Sequence, residues 1–435
     1  MKSNRQKGLA HLLLIVIIVI VIIILVALTI IKSSGHDLPQ APWAEIGLFN
    51  DKDDSCGNAL GNGDEIISGP GTGVRSDIDM DNPFRSLTVH PTNPDIVYVG
   101  TERNGILRSL DGGKTWERLR YGIRHHGRGS YPEVYDMAIS HSNPDVIYAA
   151  ITEGPGPVTG NYPSSYGGVH VSYDAGLTWE RKNCGLESGA ILSIWIDPED
   201  ENHALVGIDA GEITFDGFGI EKGFYPGGLY QTFDGGENWE KAAELEAVDN
   251  NSFIQIKSAG QGNMIYTLGT YGRNREDISK NVGLLKSVDN GRTWTEDDSR
   301  FRENYAGYFG VSSDGMTLYI SNSDWGIFIS EDGGASWSKK DLNSYVYSPV
   351  VDPANAKRVI YGSENDLYVT EDGFDSSKKI IDRPGQDSKH ASDVVFAPSD
   401  PSVVYAIMVG YDLYKSADSG KTFIKLINLR DDVLE

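Results

Sequence analysis

Cysteine is almost absent: Cys56 and Cys184 are the only two in 435 residues. Their spacing matches no zinc motif, and it leaves open either one disulfide or two separate small buried side chains. Basic residues are also scarce, with 38 Lys and Arg against 62 Asp and Glu and a formal charge of -24. That balance disfavours nucleic acid as a partner, because duplex binding depends on neutralising phosphates. There is no HExxH, no GxSxG and no phosphate-binding glycine motif between a strand and a helix. Asp77, Asp79 and Asp81 form an acidic run, but Asn82 stands where an EF-hand needs glycine and Thr88 where it needs glutamate, so that site is excluded. No metal and no cofactor are expected. The 50 glycines lack the one-in-three spacing of collagen, and 39 % hydrophobic residues argue against general disorder.

Long apolar runs are equally rare, with one exception. Residues 12–31, LLLIVIIVIVIIILVALTII, are apolar except for Thr29, long enough to cross a bilayer as a helix. Lys2, Arg5 and Lys7 precede the run and only Lys32 closely follows it, which places the short N-terminus inside and the rest outside. The run continues to Lys32 without a small-residue cleavage site, so an uncleaved single-pass anchor is expected rather than a secretory signal. The organisation read from this is a cytoplasmic stretch 1–11, an anchor 12–31, a juxtamembrane linker 32–83 and an extracytoplasmic domain 84–435. An oxidising compartment permits a Cys56–Cys184 bridge.

A short phrase then recurs seven times: SLDGGKTW at 109–116, SYDAGLTW at 172–179, TFDGGENW at 232–239, SVDNGRTW at 287–294, SEDGGASW at 330–337, the degraded TEDGFDSS at 370–377 and SADSGKTF at 416–423. The spacings of its aspartates, Asp111, Asp174, Asp234, Asp289, Asp332, Asp372 and Asp418, shorten from 63 to about 40 residues, approaching propeller blade periods. A second phrase lies upstream, as in NPDIVYVGT from Asn93 and NPDVIYAAI from Asn143. Each unit reads as four short strands, the box falling between the third and fourth. The pattern Ser/Thr-x-Asp-x-Gly-x-Thr-Trp resembles the Asp box of the BNR-repeat family, which includes sialidases, sortilin-type receptors and xyloglucanase-type hydrolases. The expected fold is all-β: a seven-bladed β-propeller preceded by one N-terminal transmembrane helix. The segment PWAEIGLF from Pro42 is a candidate closing strand for the last blade. The box needs no catalysis to explain it, since its Asp and Ser or Thr oxygens can accept turn amides and its Trp can pack into the blade.

With strands lettered A to D from the centre outward, boxes occupy C–D turns, and the long B–C insertions 153–168, 209–228 and 271–283 fall on the opposite face. That face receives the basic segment after blade 1 with Arg124, His125 and Arg128, and the aromatics Tyr166, Phe215, Tyr225 and Tyr271. Strand A starts there too, so Arg85, Glu133, Tyr135, Asp136, Tyr305, Tyr345, His390 and Asp393 are expected to converge on a ligand at the channel mouth. Arginine can grip a carboxylate bidentately and aromatic rings can stack on sugars or peptide side chains. The leading reading is a membrane-anchored extracytoplasmic propeller that binds a glycan or protein ligand through this face. The alternatives are a glycoside hydrolase, xyloglucanase-like or sialidase-like, using carboxylates on the same face, and an assembly factor for a membrane complex. The resemblance to xyloglucanase-type enzymes implies two propellers with a cleft between them, whereas this chain has residues for one.

Overall fold

The computed structural model describes residues 84–102, 104–123, 132–152, 166–213, 223–242, 251–260, 263–271, 282–302, 306–322, 326–342, 344–364, 366–382, 391–408 and 412–428. The apolar run 12–31, Cys56 and the candidate closing strand at Pro42 lie outside them. Among the described residues no helix is long and apolar enough to cross a membrane.

Seven antiparallel four-stranded sheets follow one another at 84–119, 133–181, 191–241, 251–298, 306–341, 347–381 and 391–428. Their innermost strands are Phe84–Val89, Glu133–Ile139, Ile191–Asp197, Asn251–Ala259, Ala306–Val311, Tyr347–Asp352 and Ala391–Ala397. Each innermost strand neighbours the next, and the last neighbours the first, so the ring is closed. Among the described residues all four strands of blade 7 come from its own segment, and blades 7 and 1 are joined by packing and side-chain bonds. Phe84, Leu87, Val97, Val99 and Trp116 of blade 1 form one buried cluster with Tyr405, Ile407 and Leu413 of blade 7. Tyr405 donates its hydroxyl to the Pro94 carbonyl at 3.0 Å, and Lys415 reaches Asp95 at 2.9 Å. The same tyrosine position joins other blades. Tyr98 donates to the Ala175 carbonyl, Tyr148 to Glu201, Tyr266 to Gly315 and Tyr319 to Ala356.

The repeated phrase builds one turn seven times. In blade 4, Asp289 Oδ1 accepts the Thr293 amide and the Ser287 hydroxyl, each at 2.8 Å, and Oδ2 accepts the Thr293 hydroxyl at 2.6 Å. Ser287 Oγ accepts the Gly291 amide, and the Trp294 indole donates to the Gly291 carbonyl. These bonds hold carboxylates such as Asp111, Asp332 and Asp372 down at about 2. A backbone bond also ties each box to the A–B turn of its own blade, as from Gly112 to Asp95 and from Gly333 to Met316. The boxes therefore share one face with the A–B turns.

The degraded sixth copy keeps the turn: Thr370 and Ser376 bond Asp372 as their counterparts do elsewhere. Ser377 stands where the tryptophan would be, and Phe374 stands at the second glycine position, with φ of 69°. Its ring is 5 % exposed and packs against Tyr319 and Tyr361, so it supplies apolar area that the missing tryptophan does not. A left-handed phenylalanine is held here because burial outweighs the backbone cost.

All seven innermost strands carry a register irregularity against strand B. In blades 1 and 2 the extra residues are Arg85 and Tyr135. Side chains just past the irregularity then bond across to the next blade. Ser86 donates to the Val134 carbonyl, Ser193 donates to Phe253, and Asp136, Gln255 and Asp393 accept the amides of Ile194, Phe309 and Leu87. Burial pushes Asp136 up to about 6, its two backbone hydrogen bonds opposing the rise.

Two outcomes are expected. Phe374→Ala should lower unfolding free energy by about 3–5 kcal/mol, with Phe374→Gly costing less than alanine would predict because glycine is at ease at positive φ; urea denaturation checks both. Asp136 binds its proton more tightly folded than unfolded, so its contribution is fully present below about pH 4 and is lost as pH rises through about 6. The stability deficit of Asp136→Asn relative to wild type should therefore shrink between about pH 4 and about pH 7, by on the order of 1–3 kcal/mol in melts across that range.

Candidate functional site

The face opposite the boxes is where the B–C insertions meet the starts of the innermost strands. Ser252, in strand A of blade 4, donates to Asp209 at 2.5 Å, and the Ala210 amide donates to the Ser252 hydroxyl. The Val282 amide at the end of the blade 4 insertion bonds Asn251. In blade 3 the insertion is not loop throughout: Gly211–Ile213 and Gly223–Tyr225 pair as a small antiparallel hairpin, a departure from the sequence reading.

At the mouth of the central channel, Arg85 is held by Glu102 and by Glu133, whose Oε1 lies 2.6 Å from Nε. Tyr135 stands beside it, and Tyr308 comes from blade 5. Tyr345 and Tyr347 pack with centroids 4.5 Å apart, and Tyr347 meets Tyr308 edge-on at 5.8 Å. Burial pushes the Tyr135 phenol up, with Glu133 adding to the rise. Burial does the same for Tyr308, aided by Tyr135 and Tyr345. Both keep their protons at neutral pH, which leaves each hydroxyl able to donate.

Below the mouth lies a cavity of about 490 Å³ lined by residues of all seven blades, including Arg85, Tyr135, Asp136, Ile194, Gln255, Lys257, Tyr308, Ser348 and Asp393. Lys257 is partly exposed to this space. Its ammonium makes no hydrogen bond or ion pair with another described residue, and it sits 5.9 Å from the centre of the Phe309 ring. Burial pulls the ammonium down in pKa, opposed by Asp393 and then Asp136. Burial raises Asp393, the Asp136 charge adds to the rise, and Lys257 opposes it. Each aspartate already serves two amides: Asp136 accepts Met137 and Ile194, and Asp393 accepts Val394 and Leu87.

Of the sequence candidates, Arg85, Tyr135, Asp136 and Asp393 line this cavity together; Glu133 is bound to Arg85, and Tyr345 belongs to the tyrosine group at the mouth. Tyr166 and Tyr225 are half-buried at the ends of their insertions and do not line the cavity. For Tyr271 only the backbone is described, and Arg124, His125, Arg128, Phe215, Tyr305 and His390 lie outside the described residues. Cys184 is disulfide-bonded, and Cys56, the partner expected from the sequence, lies outside the described residues. No group of three or more potential metal ligands occurs among the described residues. Sequence reasoning missed Lys257, Gln255 and Tyr308. The signal that could have found Lys257 is a lone lysine within NSFIQIKSA, an otherwise uncharged inner strand.

No family model matches the chain. A sialidase of Bacteroides fragilis is 26 % identical over 212 residues, covering 45 % of this chain and 37 % of the sialidase. The chain thus spans little more than a third of that relative's length. Among solved structures, the GH74 xyloglucanase from Xanthomonas campestris superposes with a TM-score of 0.60 at 15 % identity, covering 82 % of this chain and 56 % of the enzyme. YCF48 from Cyanidioschyzon merolae superposes with a TM-score of 0.53 at 13 % identity, covering 79 % of this chain and 98 % of that one. A structure of YCF48 bound to D1 peptide gives the same score at 10 % identity, covering 80 % and 99 %. These likenesses are of fold, and with the seven boxes they make the chain a seven-bladed Asp-box propeller.

Proposed function

We propose that this chain is a membrane-anchored, extracytoplasmic propeller that binds a glycan or a protein segment at the loop-rich end of its channel. The observation that supports it best is the mouth itself, where Arg85, Tyr135, Tyr308, Tyr345 and Tyr347 gather donors and ring faces from four inner regions of the ring. Such groups suit recognition of oxygen-rich or acidic ligands. The described carboxylates around them are already engaged: Glu102 and Glu133 by Arg85, Asp136 and Asp393 by backbone amides. Single-propeller size is shared with YCF48, of which one structure holds D1 peptide, whereas the xyloglucanase is nearly twice the matched length. A protein ligand would make the chain a scaffold or assembly factor for a membrane complex. The 12–31 run supplies the anchor in this reading.

One observation favours glycoside hydrolysis as a second reading: Asp136 and Asp393 share a cavity and both titrate above the usual carboxylate range. A hydrolase needs one acid to protonate the leaving oxygen and a second carboxylate to attack or to activate water.

Detergent-solubilised full-length protein, incubated with plant, cell-wall and sialylated glycans and with solubilised envelope proteins, separates these readings when binding and sugar release are recorded together. The expected result is saturable binding without release, weakened about tenfold by Arg85→Ala. Sugar release abolished by Asp136→Asn would overturn it in favour of hydrolysis. Carbonate extraction should leave the protein in the membrane fraction and release a variant lacking residues 1–32; release of the intact chain would remove the anchor from the reading.

A further inference from the structure

The charged side chains lining the channel cavity are few. Arg85 is held at the mouth by two glutamates, and Asp136 and Asp393 are fixed to the walls by two amide bonds each. Lys257 alone among them makes no hydrogen bond or ion pair with a described residue; Asp393 and Asp136 reach it only through their charge. An ammonium carries three donors, and a charge withdrawn from bulk water without acceptors is costly. Water or a ligand must meet it. Ile254, Val350 and Val395 line the same cavity and are partly exposed to it, which gives an apolar wall to the space that holds the ammonium. A space of about 490 Å³ is in the range that holds a small molecule.

We infer that the channel cavity is a binding site for a small organic carboxylate, its carboxylate on the Lys257 ammonium and its apolar body against Ile254, Val350 and Val395. The site deepens the reading of the loop-rich end as the binding end and rests on it for the route of entry past Arg85 and Tyr135. It also carries a pH dependence. The titratable groups facing Lys257 across the cavity are Asp136 of blade 2, Asp393 of blade 7, Tyr135, Tyr308 and, at the mouth, Arg85. The phenols stay protonated. Asp136 and Asp393, when ionised, repel an incoming carboxylate and compete for the ammonium; once protonated they do neither. Their upward shifts put that change in the mildly acidic range. Carboxylate binding therefore strengthens as pH falls toward that range, where the ligand itself remains ionised.

The test is calorimetric titration of the full-length protein in detergent with benzoate, and with benzamide as the uncharged isostere, at about pH 5.5 and about pH 7.5. The expected result is saturable benzoate binding, tighter at the lower pH by about fivefold or more and exceeding benzamide by about tenfold. Lys257→Met should remove that preference for benzoate, and Asp393→Asn should reduce the pH dependence. Equal affinity for benzoate and benzamide in the wild type would overturn the assignment without recourse to any variant. So would benzoate binding unchanged in a Lys257→Met protein whose melt shows it folded, or the absence of saturable binding at either pH. The separate reading of the mouth fails on a different result, the loss of glycan and protein binding altogether, which these probes do not measure.

Discussion

One extra residue in each innermost strand shapes both the ring and its opening. An extra residue in one strand of an antiparallel pair bends that strand and re-aims its side chains. Here it turns Arg85 and Tyr135 toward the channel mouth and leaves Ser86 and Asp136 directed at the neighbouring blade. Each cross-blade bond contributes about 1 kcal/mol, modest alone but repeated at five of the seven junctions. The wall of the candidate site is therefore built from the residues that hold the blades together. Aspartates that would read as catalytic in isolation are doing structural work at the same place.

The two faces divide the labour. On the box face, carboxylates are spent on turn amides and hydroxyls, which draws their proton affinity down and leaves little for a ligand. At the channel end, carboxylates are buried and their proton affinity rises. The same residue type is thus driven in opposite directions by hydrogen bonding on one face and desolvation on the other. The sixth blade shows how far the box can decay: the polar turn survives, and the lost tryptophan is offset by a phenylalanine from a backbone position that ordinarily requires glycine.

Lys257 gains its interest from contrast. In a chain with 62 acidic and 38 basic residues, a lysine on a surface would meet many partners, and several described lysines do, such as Lys182 with Glu180 and Glu237. Inside the channel Asp136 and Asp393 act on Lys257 through their charge alone, because their oxygens are taken up by backbone amides, so the ammonium has no hydrogen-bonded partner among the described residues.

The sequence by itself determined the all-β class, the number of blades and the face on which insertions gather, because box spacing and strand length are local properties written in consecutive residues. It also brought Arg85, Tyr135, Asp136 and Asp393 to one end of the channel, since strand A starts are countable from the repeat. Only the tertiary structure decided what those groups do. Whether Asp136 meets a ligand or the Ile194 amide depends on the approach of a blade some 60 residues away. Lys257 and Gln255 were hidden for a further reason: a period of two assigns faces only while the register is unbroken, and the inner strands break it at that level. Burial and ring closure set the pKa of each carboxylate, and neither can be read from the residues on either side of it.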